Sequence, residues 1–319
     1  MMIGIRAIAS HVPSDALSNY ERRDEFGLTD DFIVGKLGVE RVSRKRSGDD
    51  TSDLCLKALA ALQSKVVADP AGIDCLVVCT QNPDRHGIPH TSAIIHGAIG
   101  AGDGCAAFDI SLGCSGYVYS LAVAKSFMEA NGLHRGLLFT ADPYSKILDP
   151  SDKNTVLLFG DAATVTLLDS GSDAAWTPKR FLFSTRGQEG KALNNDTGKL
   201  EMNGRAVFNF SATAVPVQIK ELLDAEGIDP GVIDLFLFHQ GSRYILDTLV
   251  KRLGLPPEKV PSNLAAQGNT VSSSIPLLFE SYVDNPGIKR VLMSGFGVGL
   301  SWASCLLERR EAIYYDKEH

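Results

Sequence analysis

The sequence has no Cys-x-x-Cys pair among its six cysteines and no cluster of histidines at a metal-ligand spacing. Cys55, Cys75, Cys79, Cys105, Cys114 and Cys305 lie mostly inside apolar stretches, so neither a disulfide framework nor a zinc site is signalled and reduced thiols are expected. His86 and His90 are four apart, but Pro83, Gly87 and Pro89 deny them the helix that would align them as ligands. No metal is expected. Nowhere do about eighteen uncharged apolar residues run together, and Met-Met-Ile-Gly-Ile-Arg at the start has no charged lead into an apolar run. A cytoplasmic protein without a membrane partner is the expectation. Positive charge is also short: the formal net charge is −7 and the pI is near 5.5. That excludes the broad basic surface of a non-specific nucleic-acid binder, and any acidic partner has to meet a local basic patch.

What is present is a chain of 319 residues, 44% apolar, long enough for two domains or one large duplicated one. Residues 3 to 9 alternate as a strand, and Ser18 to Arg46 is a charged helix-and-loop region in which Thr29 is placed to cap a helix. Thr51-Ser-Asp leads a helix to about Val67, Cys75–Thr80 is a strand, and a Pro/Gly loop runs to Pro89. A helix from Thr91 to Ile99, a strand into Cys114, a helix from Tyr117, a strand 136–141 and the apolar stretch 155–168 follow. Strands alternating with helices predict an α/β fold with parallel pairing. The second half repeats the first at offsets of 155 to 160: Ile73-Asp74 before its strand matches Ile233-Asp234, and Arg135 matches Arg290. Ser170 to Val207 is left as a polar connector and surface cap.

One stretch organises the rest. Cys114 stands between small residues in Leu112-Gly-Cys-Ser-Gly116, where a strand turn gives way to a helix start. Helix N-terminal amides stabilise a thiolate, so a lowered thiol pKa is expected. Two other stretches bear on the same chemistry. His239 ends the apolar strand Leu-Phe-Leu-Phe, and Asn269 follows Gly268 at an expected helix start, both at the strand ends where α/β sheets place functional groups.

These stretches resemble the β-ketoacyl-[acyl-carrier-protein] synthase III family of the thiolase superfamily. The likeness includes Phe159-Gly-Asp-Ala-Ala163, Met202-Asn-Gly204-Arg-Ala-Val-Phe208, His239-Gln240, Gly268-Asn269-Thr270 with Pro276, and Phe296-Gly-Val-Gly-Leu-Ser-Trp302. The resemblance implies a five-layered αβαβα fold of two pseudo-twofold halves, 1–170 carrying Cys114 and 171–319 carrying His239 and Asn269, in a homodimer. It implies a Cys-His-Asn catalytic site with the oxyanion held by the N–H groups of Cys114 and Val298. It implies a fatty-acid or polyketide type of acyl transfer: an acyl-coenzyme A or acyl-carrier-protein donor loads Cys114, and a malonyl-carrier-protein thioester then condenses with loss of CO2. No cofactor is implied beyond the coenzyme A and phosphopantetheine thioesters that serve as substrates. By the same resemblance Phe32, Lys36, Ile88, Lys153, Gly204, Ser242 and Phe296 bind substrate, and Arg243, Lys251 and Arg252 dock the carrier.

Several positions depart from the family pattern around the coenzyme A channel. Phe32 and Lys36 stand for a larger ring and an arginine, Lys153-Asn154 for Arg-Gly, Ser242 for Asn, and Val298 interrupts a glycine run. An unusual donor or acceptor, as in specialised metabolism, is therefore expected. Three rival readings stand beside this one. An acyltransferase of the same fold would pass the acyl group to a hydroxyl or amine, but has no reason to keep Asn269. A hydroxymethylglutaryl-coenzyme A synthase needs a catalytic Glu for which no motif is present. A non-catalytic partner subunit has no use for all three site residues.

Overall fold

The computed structural model describes residues 2–171 and 173–310. Nine strands form its main sheet: β1 (Gly4–His11), β2 (Cys75–Cys79), β3 (Ala106–Ile110), β4 (Arg135–Ala141), β5 (Ala163–Asp169), β6 (Trp176–Thr185), β7 (Leu235–Phe238), β8 (Arg290–Gly297) and β9 (Ser301–Arg309). Their order is β7-β8-β9-β6-β1-β5-β4-β2-β3. The pair Ile5 and Trp176 is the link between β1 and β6, so the sheet divides there into two halves.

Four strands of each half correspond, and β3, parallel to β2 at the edge, has no counterpart in the second half. In the first, β2 runs parallel to β4, β4 antiparallel to β5 and β5 antiparallel to β1. In the second, β7 runs parallel to β8, β8 antiparallel to β9 and β9 antiparallel to β6. Strand β6 is thus the counterpart of β1, and it lies inside the segment that the sequence suggested was a connector and cap. Its alternation is masked by Pro178, Lys179 and Arg180; the two cations sit exposed in mid-strand while Trp176 is buried at the seam.

Helices α3 (Gly116–Asn131) and α6 (Ser274–Glu280) lie between the half-sheets, α1 (Thr51–Gln63) and α2 (Thr91–Ile99) cover the outer face of the first, and α4 (Gly204–Glu226) and α5 (Arg243–Leu253) that of the second. The result is five layers, αβαβα. Helix α3 is apolar nearly all round because both its faces are packed: Tyr117, Val118, Leu121 and Met128 join β-strand residues of both halves in one central cluster. Separate clusters fill the two outer spaces, one around Leu54, Leu59 and Val165, the other around Val215, Ile219 and Phe236. Each leucine-sized side chain so buried stabilises by roughly 1.5–3 kcal/mol.

The region from Ser18 to Arg46 is more ordered than a surface loop. A hairpin of Ala16–Ser18 with Arg41–Ser43 encloses a wide helical turn, Asp31–Leu37. The Phe32 N–H donates to Thr29 Oγ1 (3.2 Å), which is the capping role its position suggested. This turn packs against α5 and carries two of the expected substrate residues.

Candidate active site

Cys114 lies inside a tight turn after β3, closed by the Gly116 N–H donating to the Gly113 carbonyl at 2.7 Å, just ahead of α3. It is 3% exposed. Strand β8 passes so close that a Cβ on Gly297 would lie 2.7 Å from the Cys114 Sγ, and one on Gly295 2.7 Å from its carbonyl oxygen. Glycine at these positions is what lets the strand end reach the sulfur. The N–H groups of Val298 and of Cys114 itself both point at Sγ, the arrangement expected of an oxyanion hole.

The charge state of the resting sulfur corrects the expectation from sequence. Burial pushes the Cys114 thiol up to about 12, and the two N–H groups only partly offset it. Cys114 lies outside the first helical turn and has lost its water, so desolvation outweighs the helix terminus. It rests as a neutral thiol.

His239 leaves β7 with its N–H bonded to the Ser294 carbonyl of β8 (2.9 Å). Its Nδ1 lies 2.8 Å from Ser274 Oγ at the start of α6, and its ring meets Phe296 edge to face, centroids 5.5 Å apart. Burial drives its pKa down to about 3, with the Val271 backbone a smaller opposing influence, so the imidazole is neutral. Gln240 beside it is structural: its amide donates to the Phe238 carbonyl and its Oε1 accepts from Ser262 Oγ.

Asn269 is held from both sides. Its N–H donates to the Leu158 carbonyl (2.8 Å) and its own carbonyl accepts from Gly160 N–H (2.9 Å), which gives the Phe159-Gly-Asp motif its task. Gly268 precedes it at φ +75°, where a Cβ would strike the Leu158 oxygen at 2.6 Å. The side-chain Oδ1 accepts from Val271 N–H (2.9 Å), so the NH2 is the end that faces His239, with Nδ2 3.4 Å from Nε2. Val271 pays for this with φ +52°, a strained conformation for a β-branched residue. The helix expected at Asn269 begins later, with a tight turn Val271–Ser273 leading into α6.

With Nδ2–H donating to Nε2, the neutral imidazole carries its hydrogen on Nδ1 and donates to Ser274 Oγ. The hydroxyl can equally donate, which would leave the hydrogen on Nε2. Ser274 therefore permits both tautomers, and sequence reasoning missed it. Its signal was the hydroxyl run Ser272-Ser-Ser274 at the head of an apolar helix.

A cavity of about 490 Å3 runs from the surface to Cys114, His239 and Asn269. Leu158, Phe159, Leu193, Met202 and Phe296 line it, and Phe32, Lys36, Lys153 and Tyr244 stand partly or wholly exposed around its mouth. Of the expected substrate residues, Phe32, Lys36, Lys153, Gly204, Ser242 and Phe296 all border it. Ile88 does not; it is 84% exposed on the loop before α2. Phe208 and Tyr244 stack at the mouth, centroids 4.7 Å apart, a pairing that two distant segments conceal in the sequence. Arg243, Lys251 and Arg252 lie on α5, with Arg243 and Lys251 bordering a shallow groove. Arg243 is engaged by Asp247 at 2.8 Å. No group of three or more potential metal ligands occurs among the described residues, all six cysteines are free, and no described helix is long and apolar enough to cross a membrane.

Models of the two parts of 3-oxoacyl-[acyl-carrier-protein] synthase III match residues 108–187 and, for its C-terminal part, 223–309. A β-ketoacyl-[acyl-carrier-protein] synthase III of Streptococcus mutans is 33% identical, over 95% of this chain and 98% of its own. The crystal structure of a 3-oxoacyl-(acyl-carrier protein) synthase from Burkholderia xenovorans LB400 is 31% identical and superposes with a TM-score of 0.90 over 98% of this chain and 95% of that one. The priming β-ketosynthase of the R1128 polyketide pathway is 26% identical, with a TM-score of 0.85 over 96% of each chain. Likeness along nearly the whole length, on a thiolase-type layering, shows that the chain belongs to the β-ketoacyl-[acyl-carrier-protein] synthase III family of acyltransferase-type condensing enzymes.

Proposed function

We propose that this chain loads an acyl group from a coenzyme A or carrier-protein thioester onto Cys114 and condenses it with a malonyl-carrier-protein thioester. The observation that carries the reading is the meeting of Cys114, His239 and Asn269 at the blind end of one tunnel. In loading, Nε2 of the neutral His239 takes the thiol proton as Sγ attacks the thioester carbon. The N–H groups of Cys114 and Val298 receive the oxyanion, and the proton passes to the departing thiolate.

In the second half-reaction the malonyl thioester loses CO2, and negative charge develops on its thioester oxygen. An imidazole with Nε2–H, its Nδ1 accepting from Ser274 Oγ–H, and the anchored Asn269 NH2 form a donor pair for that oxygen. The carbanion equivalent then attacks the acyl-Cys114 carbonyl and releases a β-ketoacyl thioester. The steps as written use no metal or redox cofactor. The anchored amide favours condensation over acyl transfer to a hydroxyl or amine, which leaves Asn269 idle.

Lys36 and Lys153 at the mouth are suited to the phosphates of coenzyme A or of a phosphopantetheine arm. Arg243, Lys251 and Arg252 on α5 would dock an acidic carrier; the exposed Arg243–Asp247 pair is too weak to withdraw Arg243 from that role. The homodimer belongs to the same reading: β3 is an edge strand whose five residues are all half-exposed, an incomplete sheet that a second copy could extend. Ile88 would then act on the partner's site rather than its own. The two halves, 1–170 and 171–319, are proposed as its structural units, and the free thiols suit a cytoplasmic place. A starter from specialised metabolism is in keeping with the departures at the channel mouth.

Incubation with a panel of acyl-coenzyme A and acyl-carrier-protein donors, read by intact mass, tests the proposal. A mass gain equal to one acyl group, absent in Cys114→Ala, supports it; no gain with any donor overturns it.

A further inference from the structure

The turn Val271–Ser273 does more than join Asn269 to α6. Its first N–H fixes the Asn269 amide through Oδ1 (2.9 Å), so the direction of the NH2 is only as firm as the turn. Val271 enters that turn at φ +52°, a conformation a β-branched residue does not hold unaided. Contacts from outside the turn have to fix it.

The end of β4 supplies them. Ser272 Oγ donates to the Asp142 carboxylate (2.5 Å), and the Ser272 N–H is a further donor to it. One residue on, Ser273 Oγ lies 2.9 Å from Thr140 Oγ1 and donates to the Thr140 carbonyl (3.1 Å). The hydroxyl run Ser272-Ser-Ser274 is thus divided: Ser272 and Ser273 are tied back to the end of β4, and Ser274 reaches the imidazole.

Asp142 is the deeper of the two anchors. It is fully buried, accepts from Gln81 N–H just beyond β2 (2.6 Å), and offers its main-chain carbonyl to Tyr144 N–H (2.7 Å). Burial pushes its carboxyl up to about 6, and the neutral donors of Gln81, Ser272 and Thr80 offset this only in part. Its charge opposes ionisation of Cys114, and an anion near the site is no help to a developing enolate either. What the carboxyl group contributes is geometry.

We propose that Asp142 is a positioning residue for the condensation step: through Ser272 it holds the Val271–Ser273 turn in the form that aims the Asn269 amide at the site. The inference rests on the condensing reading above and deepens it, because CO2 release then depends on a pair of residues, Asp142 and Ser272, that lie outside the tunnel lining.

The test compares Ser272→Ala, Asp142→Ala and Asp142→Asn in two assays: Cys114 adduct formation by intact mass, with a donor that loads the wild type, and CO2 release from malonyl-carrier-protein. Ser272→Ala and Asp142→Ala should cut CO2 release by about tenfold or more while loading stays within about threefold. Asp142→Asn keeps an acceptor for Gln81 N–H, and its NH2 can donate to Ser272 Oγ, so it should restore CO2 release to within about threefold of the wild type. Ser272→Ala leaves the tie of Ser273 to Thr140 untouched and gives a folded protein even where Asp142→Ala does not. In an Asn269→Ala background, where no amide is left to aim, Ser272→Ala should lower CO2 release by less than about threefold more. Equal losses in loading and CO2 release, unchanged CO2 release in Ser272→Ala, an Asp142→Asn variant as slow as Asp142→Ala, or a full further loss in the Asn269→Ala background each overturn the inference and leave the condensing reading standing. Absence of a wild-type adduct from every donor overturns the condensing reading, and this one with it.

Discussion

Replacing Asn269 should separate the two half-reactions. Its NH2 is aimed at the pocket by the Val271 N–H bond to Oδ1, while the groups to which the proposal assigns loading, Cys114 and the Val298 N–H, belong to other segments. Loss of one preorganised donor to a developing oxyanion costs roughly 10²–10³ in rate, or about 2.7–4 kcal/mol. Asn269→Ala also strands the buried Val271 N–H, at about 1–3 kcal/mol of stability, so a fall in Tm accompanies it. Asn269→Asp separates the two effects: it keeps the acceptor for Val271 while exchanging the NH2 donor for a carboxylate oxygen beside His239. The assay is paired: adduct formation on Cys114 by intact mass, and CO2 release from malonyl-carrier-protein. In both variants loading should stay within about threefold of the wild type while CO2 release drops by about a hundredfold or more. Equal losses in the two half-reactions would refute the role given to the amide.

Three further outcomes follow from the geometry. Because burial holds the Cys114 thiol up to about 12 and His239 down to about 3, the rate of alkylation by iodoacetamide should keep rising beyond pH 9 without a break between pH 5 and 8; a plateau near neutrality would mean a resting thiolate–imidazolium pair. Gly297→Ala places a methyl 2.7 Å from Sγ, so it should abolish loading and lower stability by about 1–3 kcal/mol in thermal unfolding; an active variant would show that the sulfur does not lie against β8. Ser274→Ala removes the partner of His239 Nδ1 and should slow decarboxylation more than loading, by about tenfold; an equal effect on both would remove the tautomer argument.

The residues that meet in the pocket were legible in the sequence through their joint pattern: Cys114 and Asn269 stand beside glycines, His239 ends an apolar strand, and the three together match one family's motifs. The alternation of elements likewise pointed to layered α/β architecture. What stayed hidden has physical reasons. Strand β6 carries Lys179 and Arg180 on an exposed stretch and so imitates a connector. The thiol's resting charge depends on how deeply it is buried, which local position does not reveal. Gln81 and Tyr144 stand 63 residues apart in sequence, and only the fold brings hydroxyl and amide together.

The most direct measurement is a chase of isolated acyl-enzyme. Protein loaded with an acyl donor that the panel finds to form the Cys114 adduct, and freed of excess donor, is mixed with malonyl-carrier-protein, and both the protein mass and the carrier thioester are followed in time. The account predicts that the acyl mass leaves Cys114 as a β-ketoacyl-carrier thioester appears and one CO2 is released per acyl group. An acyl-enzyme that persists unchanged, or that is lost only to water while malonyl-carrier-protein stays intact, would contradict it.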